Sequence, residues 1–400
     1  MIKGKDIIIV GIQPWDIAIG SNCKNIALEF SKHNRVLYVN PPLDRITRYK
    51  QKEIKPIRKR IQISKGLQPD IENLFENLWN LYPKTFVESI NWLNTGMIYS
   101  YLNKRNSRRF ARDIQNAMHR LNFKDILLFN DSSMFLGLHL KELLSPKLYI
   151  YYVRDNLVKV PYWQKHGERI EPEVIQKADL VVNNSEYYVD YTTQFNRNSV
   201  MVGQGCDVKM FTAINNSFPL PEEFSTIPSP VIGYVGSLTT LRLDIDLLVY
   251  IAKTRQDWSI VLVGPEDNSF KQSALHNMRN VYFLGNKPVD SLASYIKAFD
   301  VAINPQVINE ITIGNYPRKI DEYLAMGKPV VATATKAMQM FENYTYLAAD
   351  KHDYVNLIGK ALNEHTAAKA KVYKEFANSH TWKNSVGKIY AAIQTTLNAV

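Results

Sequence analysis

Residues 317–331, with the sequence PRKIDEYLAMGKPVV, constrain the fold more than any other part of the chain. Pro317 suits the first turn of a helix, where its missing N–H costs nothing, and apolar residues recur at helical spacing up to Leu324. Gly327 is a typical helix stop, and Val330 begins an apolar run typical of a buried strand. The segment therefore predicts a helix, a tight turn and a strand of an open parallel sheet.

In such a sheet, the carboxyl ends of the strands and the amino ends of the following helices face the ligand crevice. Glu322 lies one to two turns into the predicted helix. Its carboxylate is thus a candidate partner for the hydroxyls of a ligand. The alternative is a solvated surface role for Glu322 and its neighbour Lys319, because charged residues are mostly exposed.

Length and composition indicate a two-domain globular protein. A chain of 400 residues is too long for one ordinary core and suits two domains of roughly 200 residues each. Its apolar runs are far shorter than the roughly 20 residues that a membrane-spanning helix needs. Cys23 and Cys206, the two cysteines, are too few for a disulfide framework. We therefore expect a cytoplasmic location.

The net charge of +11 is concentrated in the first half of the chain. Eight basic residues lie between positions 45 and 60, where Glu53 is the only acidic one. With interfacial aromatics nearby at Trp79 and Trp92, the segment predicts contact with an anionic membrane surface. A solvated, mobile loop is the alternative. No nucleic-acid-binding signature appears, so we expect no nucleic-acid partner.

The order of predicted elements gives an α/β fold with two Rossmann-like halves. Residues 6–40 read as strand, loop, helix, strand, without the close glycine fingerprint of a nicotinamide site. An Asn-, Ser- and Pro-rich stretch then separates the halves. The predicted limits are 1–212 for the first domain, 213–230 for the linker, 231–379 for the second domain and 380–400 for a C-terminal helix.

The block from Pro317 to Val331 resembles the C-terminal signature of retaining, nucleotide-sugar-dependent glycosyltransferases, similar to those of bacterial surface-polysaccharide biosynthesis. The resemblance implies the GT-B fold, in which two Rossmann-like domains hold a nucleotide-sugar cleft between them and a C-terminal helix crosses back to the first domain. It also implies that Glu322 binds the donor ribose and that the start of its helix receives the phosphates.

The same resemblance assigns further donor contacts. Gly236 and Arg242 stand where the family has the glycine and lysine of its donor-phosphate loop, although the arginine that usually follows the glycine is Ser237 here. Gly285 stands where backbone groups meet the nucleotide base. Cations at Arg242 and Lys319 would neutralise the diphosphate as it leaves, which gives both residues a catalytic role.

One family position departs from the pattern. Counting back from Glu322, the family's first hallmark glutamate is Gly314 in this chain, and the nearest carboxylate is Glu310. Either Glu310 reaches the sugar from a reshaped loop, or the backbone of Gly314, Asn315 and Tyr316 holds it at the helix start.

In the first domain, the loop that begins at Gly11 follows the first strand, and the resemblance implies that it touches the donor. Asp155 is a candidate catalytic base for the acceptor hydroxyl, with a structural ion pair to Arg154 as the equal alternative. The other acceptor-side candidates are Trp15, Asp16, Asp131 and His166.

These residues lead to one functional expectation. The chain is expected to transfer a sugar, with retention, from a nucleoside diphosphate sugar to a polysaccharide or lipid-linked acceptor at the inner face of the membrane. No cofactor and no metal is expected. The alternatives are a non-catalytic partner subunit and a sugar epimerase or phosphorylase of the same fold.

Overall fold

The computed structural model describes residues 2–17, 20–212 and 220–399. The chain divides into two compact units, of which the first comprises Met1–Gly203 with Ser385–Val400 and the second Gln204–Asn384. Residues 213–219 of the predicted linker lie outside the described residues. The unit boundary differs from the predicted domain limit at 212, because Cys206, Val208 and Phe211 pack in the core of the second unit.

The first unit is built on an eight-stranded sheet in the order β3-β4-β2-β1-β5-β6-β7-β8. All neighbours are parallel except β3 and β4. Strands such as Ile7–Val10 are apolar without alternation, as expected where helices cover both faces of a parallel sheet. The strands are β1 Asp6–Gly11, β2 Arg35–Val39, β3 Ile71–Phe75, β4 Leu78–Leu81, β5 Leu127–Asp131, β6 Leu148–Val153, β7 Leu180–Asn183 and β8 Ser199–Met201.

Helices connect these strands and cover the sheet. The longest, α4, runs for 25 residues and buries Phe110 and Ile114 against the core. The helices are α1 Asn22–Ser31, α2 Arg45–Lys50, α3 Lys55–Ser64, α4 Met97–Leu121, α5 Met134–Gly137, α6 Leu140–Leu144, α7 Pro161–Lys177 and α8 Glu186–Thr193.

The second unit holds a six-stranded parallel sheet in the order β11-β10-β9-β12-β13-β14. Separate apolar clusters pack on it, one of them around Tyr323 and Leu324 and another around Leu248 and Tyr354. The strands are β9 Val231–Val235, β10 Ser259–Val263, β11 Val281–Gly285, β12 Val301–Asn304, β13 Val330–Thr333 and β14 Tyr346–Ala348.

The helices of the second unit alternate with its strands, as the sequence pattern predicts. They are α9 Val208–Thr212, α10 Ile245–Thr254, α11 Asn268–Lys271, α12 Leu292–Lys297, α13 Arg318–Ala325, α14 Lys351–Glu364 and α15 Ala367–Ser379. The last helix, α16, spans Trp382–Ala399 and joins the first unit from Ser385 onward. There Tyr390 accepts a hydrogen bond from Asn34 at 2.9 Å and packs on Phe30.

Each sheet has a point where the strand order reverses direction, and ligands of open parallel sheets bind at the carboxyl ends of the strands beside such a point. In the first unit the point lies between β1 and β5, and in the second between β9 and β12. The segments that matter most for function are therefore those that follow these four strands. In residues 2–17, 20–212 and 220–399, no helix has the length and apolarity to cross a membrane.

Candidate functional site

The centre of the site in the second unit is a close contact between Gly236 and Lys319. Gly236 follows β9 with a φ of 143°, and Lys319 lies in the first turn of α13. A Cβ added to Gly236 would overlap Cε of Lys319 and would lie 2.5 Å from its Nζ. The ammonium group also sits 5.2 Å from the centre of the Tyr234 ring. The absence of a side chain at position 236 thus lets a cation lie against the end of β9.

A second glycine completes this approach. Gly264 follows β10 with a φ of 148°, and a Cβ there would overlap the carbonyl oxygen of Gly236. The N–H of Gly236 donates to the carbonyl of Val263 at 2.8 Å. Gly264 is thus the second of two glycines that bring the ends of β9 and β10 together beneath Lys319.

The loop after β9 is held by the loop after β12. The N–H of Val307 donates to the carbonyl of Arg242 at 2.9 Å, and that of Asp244 donates to Pro305 at 2.9 Å. The amide of Asn309 reaches the carbonyl of Leu241 at 3.2 Å. This backbone pairing fixes the path of the loop and leaves the side chain of Arg242, like Ser237, exposed.

Helix α13 carries the carboxylate singled out by the sequence. The side chain of Glu322 is 13% exposed, and its Oε1 lies 3.5 Å from Nε of Arg318, one turn earlier. Burial raises the pKa of Glu322, while Arg318 and Lys319 act in the opposite direction. A partly enclosed carboxylate with cations on one side can accept hydrogen bonds from the hydroxyls of a ligand.

Asp321, next to Glu322, is fully buried and makes its contacts within the interior of the unit. Its two oxygens meet Nδ1 of His380 at 2.7 Å and the hydroxyl of Tyr316 at 2.6 Å. Tyr316 is itself 7% exposed and belongs to the core of the unit. The expectation that Tyr316 contacts the donor therefore needs correction for its side chain, whose hydroxyl is already engaged by Asp321.

The loop between β12 and α13 contains the position where the family's hallmark glutamate is missing. Thr312 is 1% exposed and anchors the loop, with its N–H donating to Oδ1 of Asn309 at 2.9 Å. Gly314 is buried, and Asn315 donates from its backbone to Thr312 at 3.0 Å. Glu310 is exposed on the same loop. Gly314 thus stays a candidate for backbone contact with a ligand, whereas the backbone N–H of Asn315 is already engaged by Thr312, which corrects that expectation.

Gly285 ends β11 with a φ of 69°, in a conformation that glycine adopts most readily. A Cβ there would meet no heavy atom within 4 Å, so open space lies beside it. Just before it, Phe283 stacks on His276 at 3.9 Å, and His276 lies 2.7 Å from Glu266. The space at Gly285 is consistent with the predicted approach of a planar base to the backbone.

In the first unit, a buried ion pair lies at the ends of β5 and β6. Asp131 is 0% exposed and accepts from Nε of Arg154 at 2.8 Å, while Nη1 of Arg154 donates to Asp155 at 2.6 Å. The two carboxylates raise the pKa of Arg154 and keep it charged. Asp131 is therefore a buried support for Arg154 and not an acceptor contact. Asp155, whose side chain is 34% exposed, is ion-paired and forms the outer end of the network.

Around this network lies the loop after β1. A Cβ at Gly11 would come within 3.0 Å of Sγ of Cys23 and 3.4 Å of Asp131. The ring of Trp15 packs edge-on against Tyr38 at 5.1 Å, and the backbone N–H of Trp15 donates to Oδ1 of Asn40 at 2.7 Å. Gly11 is thus a packing position, and Trp15 is partly buried at the edge where an acceptor is predicted.

Two predicted acceptor contacts have other partners. Asp16 forms an ion pair of 2.8 Å with Arg60, whose side chain is 9% exposed. His166 is 0% exposed, stacks on Tyr99 at 3.6 Å and faces the carbonyl of Asn91 through Nε2. Burial lowers the pKa of His166. A proton-carrying role at a surface edge does not fit this enclosed histidine, so the structure corrects that expectation.

A family comparison matches the part of the chain that holds this geometry. The family described as Glycosyl transferases group 1 matches residues 229–364. The similarity to this family thus lies in the second unit. The matched residues include the Gly236–Lys319 contact, Arg242, Gly285 and Glu322.

One curated relative supports the same family. The Bacillus subtilis protein TuaH, named for a glycosyltransferase role in teichuronic acid biosynthesis, is 28% identical over 223 residues, which are 53% of this chain and 55% of TuaH. The chain thus spans about half the length of the curated relative that it matches.

Solved structures establish the fold over the whole chain. HepE of Anabaena in complex with UDP has a TM-score of 0.69 at 15% identity, covering 98% of this chain and 100% of that one. The sucrose-phosphate synthase of Thermosynechococcus elongatus has a TM-score of 0.65 at 16% identity, covering 99% and 100%. Both of these likenesses, together with the two parallel-sheet units, show the GT-B fold that the sequence predicts.

Sequence reasoning missed three contributors to the structure of the two units. Gly264 carries no motif, so its contact with Gly236 emerges only from the sheet. His380 lies far along the chain from Asp321, and nothing in the local sequence joins them. Arg154 was considered only as a partner of Asp155, whereas its main partner is Asp131. The available signal for this pair was that Asp131 and Arg154 each stand at the end of an apolar strand.

Proposed function

We propose that this protein is a glycosyltransferase that takes its sugar from a nucleoside diphosphate sugar. The observation that carries the proposal is the placement of Lys319 over Gly236, one turn before Glu322 on the same helix. A cation at the end of β9 and at the start of α13 suits a diphosphate, since helix N-termini and ammonium groups both favour anions. HepE, similar in fold, was crystallised with UDP.

In this proposal each residue has a distinct task. Lys319 and Arg242 stabilise the negative charge that grows on the diphosphate as the bond to the sugar breaks. Glu322 accepts hydrogen bonds from the ribose hydroxyls. Gly285 lets the base approach the backbone. Asp155, positioned by its ion pair with Arg154, is the candidate to orient the acceptor hydroxyl and accept its proton.

The finer features are part of the proposal. We take the transfer to proceed with retention and the acceptor to be a polysaccharide or a lipid-linked glycan at the inner face of the membrane. The similarity to TuaH, named for teichuronic acid biosynthesis, supports a glycan acceptor. No metal or other cofactor is assigned to the reaction.

A non-catalytic partner subunit is the second candidate, and one observation favours it. Gly314 stands where the family has its first hallmark glutamate, and Glu310 is exposed on a loop anchored elsewhere by Thr312. A protein of this kind would bind the nucleotide without transferring the sugar. A sugar epimerase or phosphorylase is a further alternative that rests on the sequence alone.

Nucleotide binding and turnover separate these candidates. Calorimetric titration with UDP, GDP and ADP identifies the base, and release of free nucleotide from the matching sugar donor reports turnover. We expect Glu322→Ala and Lys319→Ala each to weaken nucleotide binding by about tenfold or more, since each removes a charge-assisted contact. Glu375→Ala and Lys371→Ala, exposed on α15, are the matched controls.

The outcomes are distinct. Loss of binding in both site variants, with donor turnover in the wild type, supports the transferase. Nucleotide binding without turnover, even with membranes and glycan acceptors added, favours the partner subunit. Unchanged nucleotide affinity in Glu322→Ala would contradict the ribose contact.

A further inference from the structure

The first unit exposes large apolar side chains where α4 begins. Met97 is 91% exposed, Ile98 71% and Tyr101 65%, all within the first two turns of the helix. Single exposed apolar residues are common on protein surfaces, but several adjacent ones mark an interaction site. The same turns bury Tyr99 against His166, so the backbone that presents them is firmly placed.

Neighbouring segments extend this exposed surface. Trp92 is 72% exposed and Tyr162 60%. Lys165 donates to the carbonyl of Trp92 at 2.9 Å, and Asn91 donates to the carbonyl of Tyr162 at 2.6 Å. The segment before α4 and the first turns of α7 therefore form one continuous face.

Helix α2 adjoins it as well. The indole N–H of Trp92 donates to the carbonyl of Ser89 at 2.8 Å, and the hydroxyl of Ser89 accepts from the N–H of Ile46 at 3.4 Å. Ile46 is 47% exposed and Tyr49 82%. We call this face the α4 patch, and its members are Ile46, Tyr49, Trp92, Met97, Ile98, Tyr101 and Tyr162.

The next turns of α4 present only basic groups to solvent. Lys104, Arg105, Arg108 and Arg112 are all exposed, and they follow the apolar residues at spacings of three and four along the helix. Asp113, the one acidic residue of α4, is buried and accepts from Thr85 at 2.6 Å. The exposed face of α4 is thus apolar at its start and positively charged beyond it.

The segment from 45 to 60 is a weaker source of positive charge than its sequence predicts. It is folded as α2 and α3, and four of its eight basic groups are paired within the protein. These pairs are Arg45 with Glu88, Arg58 with Glu53, Lys59 with Glu72 and Arg60 with Asp16. The predicted loop is therefore folded as two helices, and α4 adds four exposed basic groups to those that stay unpaired in this segment.

We propose that the α4 patch docks this protein on an anionic bilayer. Aromatic and long apolar side chains favour the boundary between headgroups and acyl chains, and basic side chains beside them favour anionic headgroups. The tips of Met97, Ile98 and Tyr101 enter that boundary, and the basic residues of α4 contact the lipid phosphates. The inference extends the proposed function, because an acceptor held at a membrane would lie on the surface that α4 recognises.

Vesicle binding tests the docking surface without any need for turnover. The full chain is sedimented with phosphatidylcholine vesicles and with vesicles that also contain phosphatidylglycerol. We expect binding only to the anionic vesicles, weakened by high salt. The triple variants M97S/I98S/Y101S and K104E/R105E/R108E should each reduce the partition coefficient by about tenfold or more.

Matched controls keep the test specific. V289S/V372S removes exposed apolar groups from the second unit, and K271E/K371E/K388E reverses three exposed charges that do not belong to the α4 patch or to α4. Both controls should bind vesicles like the wild type. Because all substituted side chains are exposed, thermal unfolding should be unchanged, and nucleotide binding to the second unit should be retained in every variant.

Two results would overturn the proposal. One is equal vesicle binding by the α4 variants and their controls. The other is a dimer in sedimentation velocity that the apolar α4 variant dissociates, without vesicle binding by the wild type, since a second copy would then cover the patch. The vesicle assay on the α4 variants, with nucleotide binding intact, tests the docking surface alone. Donor turnover in Lys319→Ala tests the transferase alone.

Discussion

Asp321 and His380 form a buried pair in which the carboxylate and Nδ1 are 2.7 Å apart, although 59 positions separate them in the sequence. Tyr316 donates to the second carboxylate oxygen, and Phe341 and Phe376 enclose the imidazole edge-on. Helix α13 is thereby tied to the segment that precedes α16. Since Glu322 is the next residue, the pair helps to set the position of the carboxylate that we propose to bind the ribose.

Asp321→Ala should lower both stability and nucleotide affinity. The substitution leaves Tyr316 and His380 without their buried partner, and such a loss typically costs about 1–3 kcal/mol or more. Tyr316→Phe removes only the hydrogen bond from the hydroxyl to this carboxylate and leaves His380 paired, so it should cost less, about 1.5 kcal/mol. Urea unfolding and calorimetric nucleotide titration measure the two effects. Equal losses in the two variants would argue against a central role for Asp321.

Gly236→Ala should impair nucleotide binding through Lys319. The added methyl group meets Cε of Lys319 at a φ of 143°, where a side chain is strained, so the lysine must move away from the strand end. We expect a loss of about 1–2 kcal/mol in stability and at least a tenfold weaker nucleotide affinity. Isothermal titration and thermal unfolding measure both.

Gly359→Ala is the control for that variant. Gly359 lies within α14, and a Cβ there would meet nothing within 4 Å. Alanine should therefore stabilise the helix by up to about 1 kcal/mol and leave nucleotide binding unchanged. If Gly236→Ala also binds nucleotide normally, the contact with Lys319 has no bearing on the donor.

Asp131→Asn should destabilise the first unit far more than Asp155→Asn does. Removing the buried partner leaves Arg154 with only the partly exposed Asp155 as a counter-charge, at a cost approaching the roughly 3–5 kcal/mol of a broken buried pair. Asp155 is one-third exposed, so its loss should cost under about 1 kcal/mol and act on turnover instead. Unfolding curves and donor turnover distinguish the two. A larger loss of stability in Asp155→Asn than in Asp131→Asn would contradict the structural role given to Asp131 and the role in turnover given to Asp155.

Glu171 should make stability fall as the pH rises. Burial raises the pKa of this carboxyl from 4.5 to about 7, while the hydroxyls of Tyr151 and Tyr191 donate to it. The folded protein therefore retains a proton that the unfolded chain releases. The resulting stabilisation is complete below about pH 4.5 and is lost as the pH rises through 7.

The size of this effect is on the order of 3 kcal/mol. Glu171→Gln should flatten the dependence of the unfolding free energy on pH between 4.5 and 7. Glu168→Gln, on the same helix with a side chain 56% exposed, should leave it intact. Identical pH profiles for wild type and Glu171→Gln would show that Glu171 does not titrate in this range.

Local sequence predicted most of the fold because its signals are short-range. The strand at Val231–Val235 and the helix that carries Glu322 appear where apolar runs, glycines and prolines placed them. The order helix, turn, strand around Gly327 is likewise confirmed, with a φ of 72° at that glycine. Such elements follow from hydrogen bonding and burial along a few consecutive residues.

Side-chain partners were less predictable because they depend on contacts across the chain. His166 and Asp16 looked available in the sequence, yet one is enclosed by Tyr99 and the other is paired with Arg60. The exposed turn at Met97 was equally invisible, because a helical run of apolar and basic residues does not show which face is covered. Only the packing of α7 beside α4 decides that.

Gly236 and Gly264 also limit how this protein can change. A Cβ at Gly236 would overlap Lys319, and a Cβ at Gly264 would overlap the backbone of Gly236. Neither strand end therefore has room for a side chain that could contact a different sugar. If the protein acts as proposed, we expect variation in donor preference to come from the loops after β11 and β12, beside Gly285 and Gly314. Libraries built to alter the donor should keep both glycines and diversify those two loops.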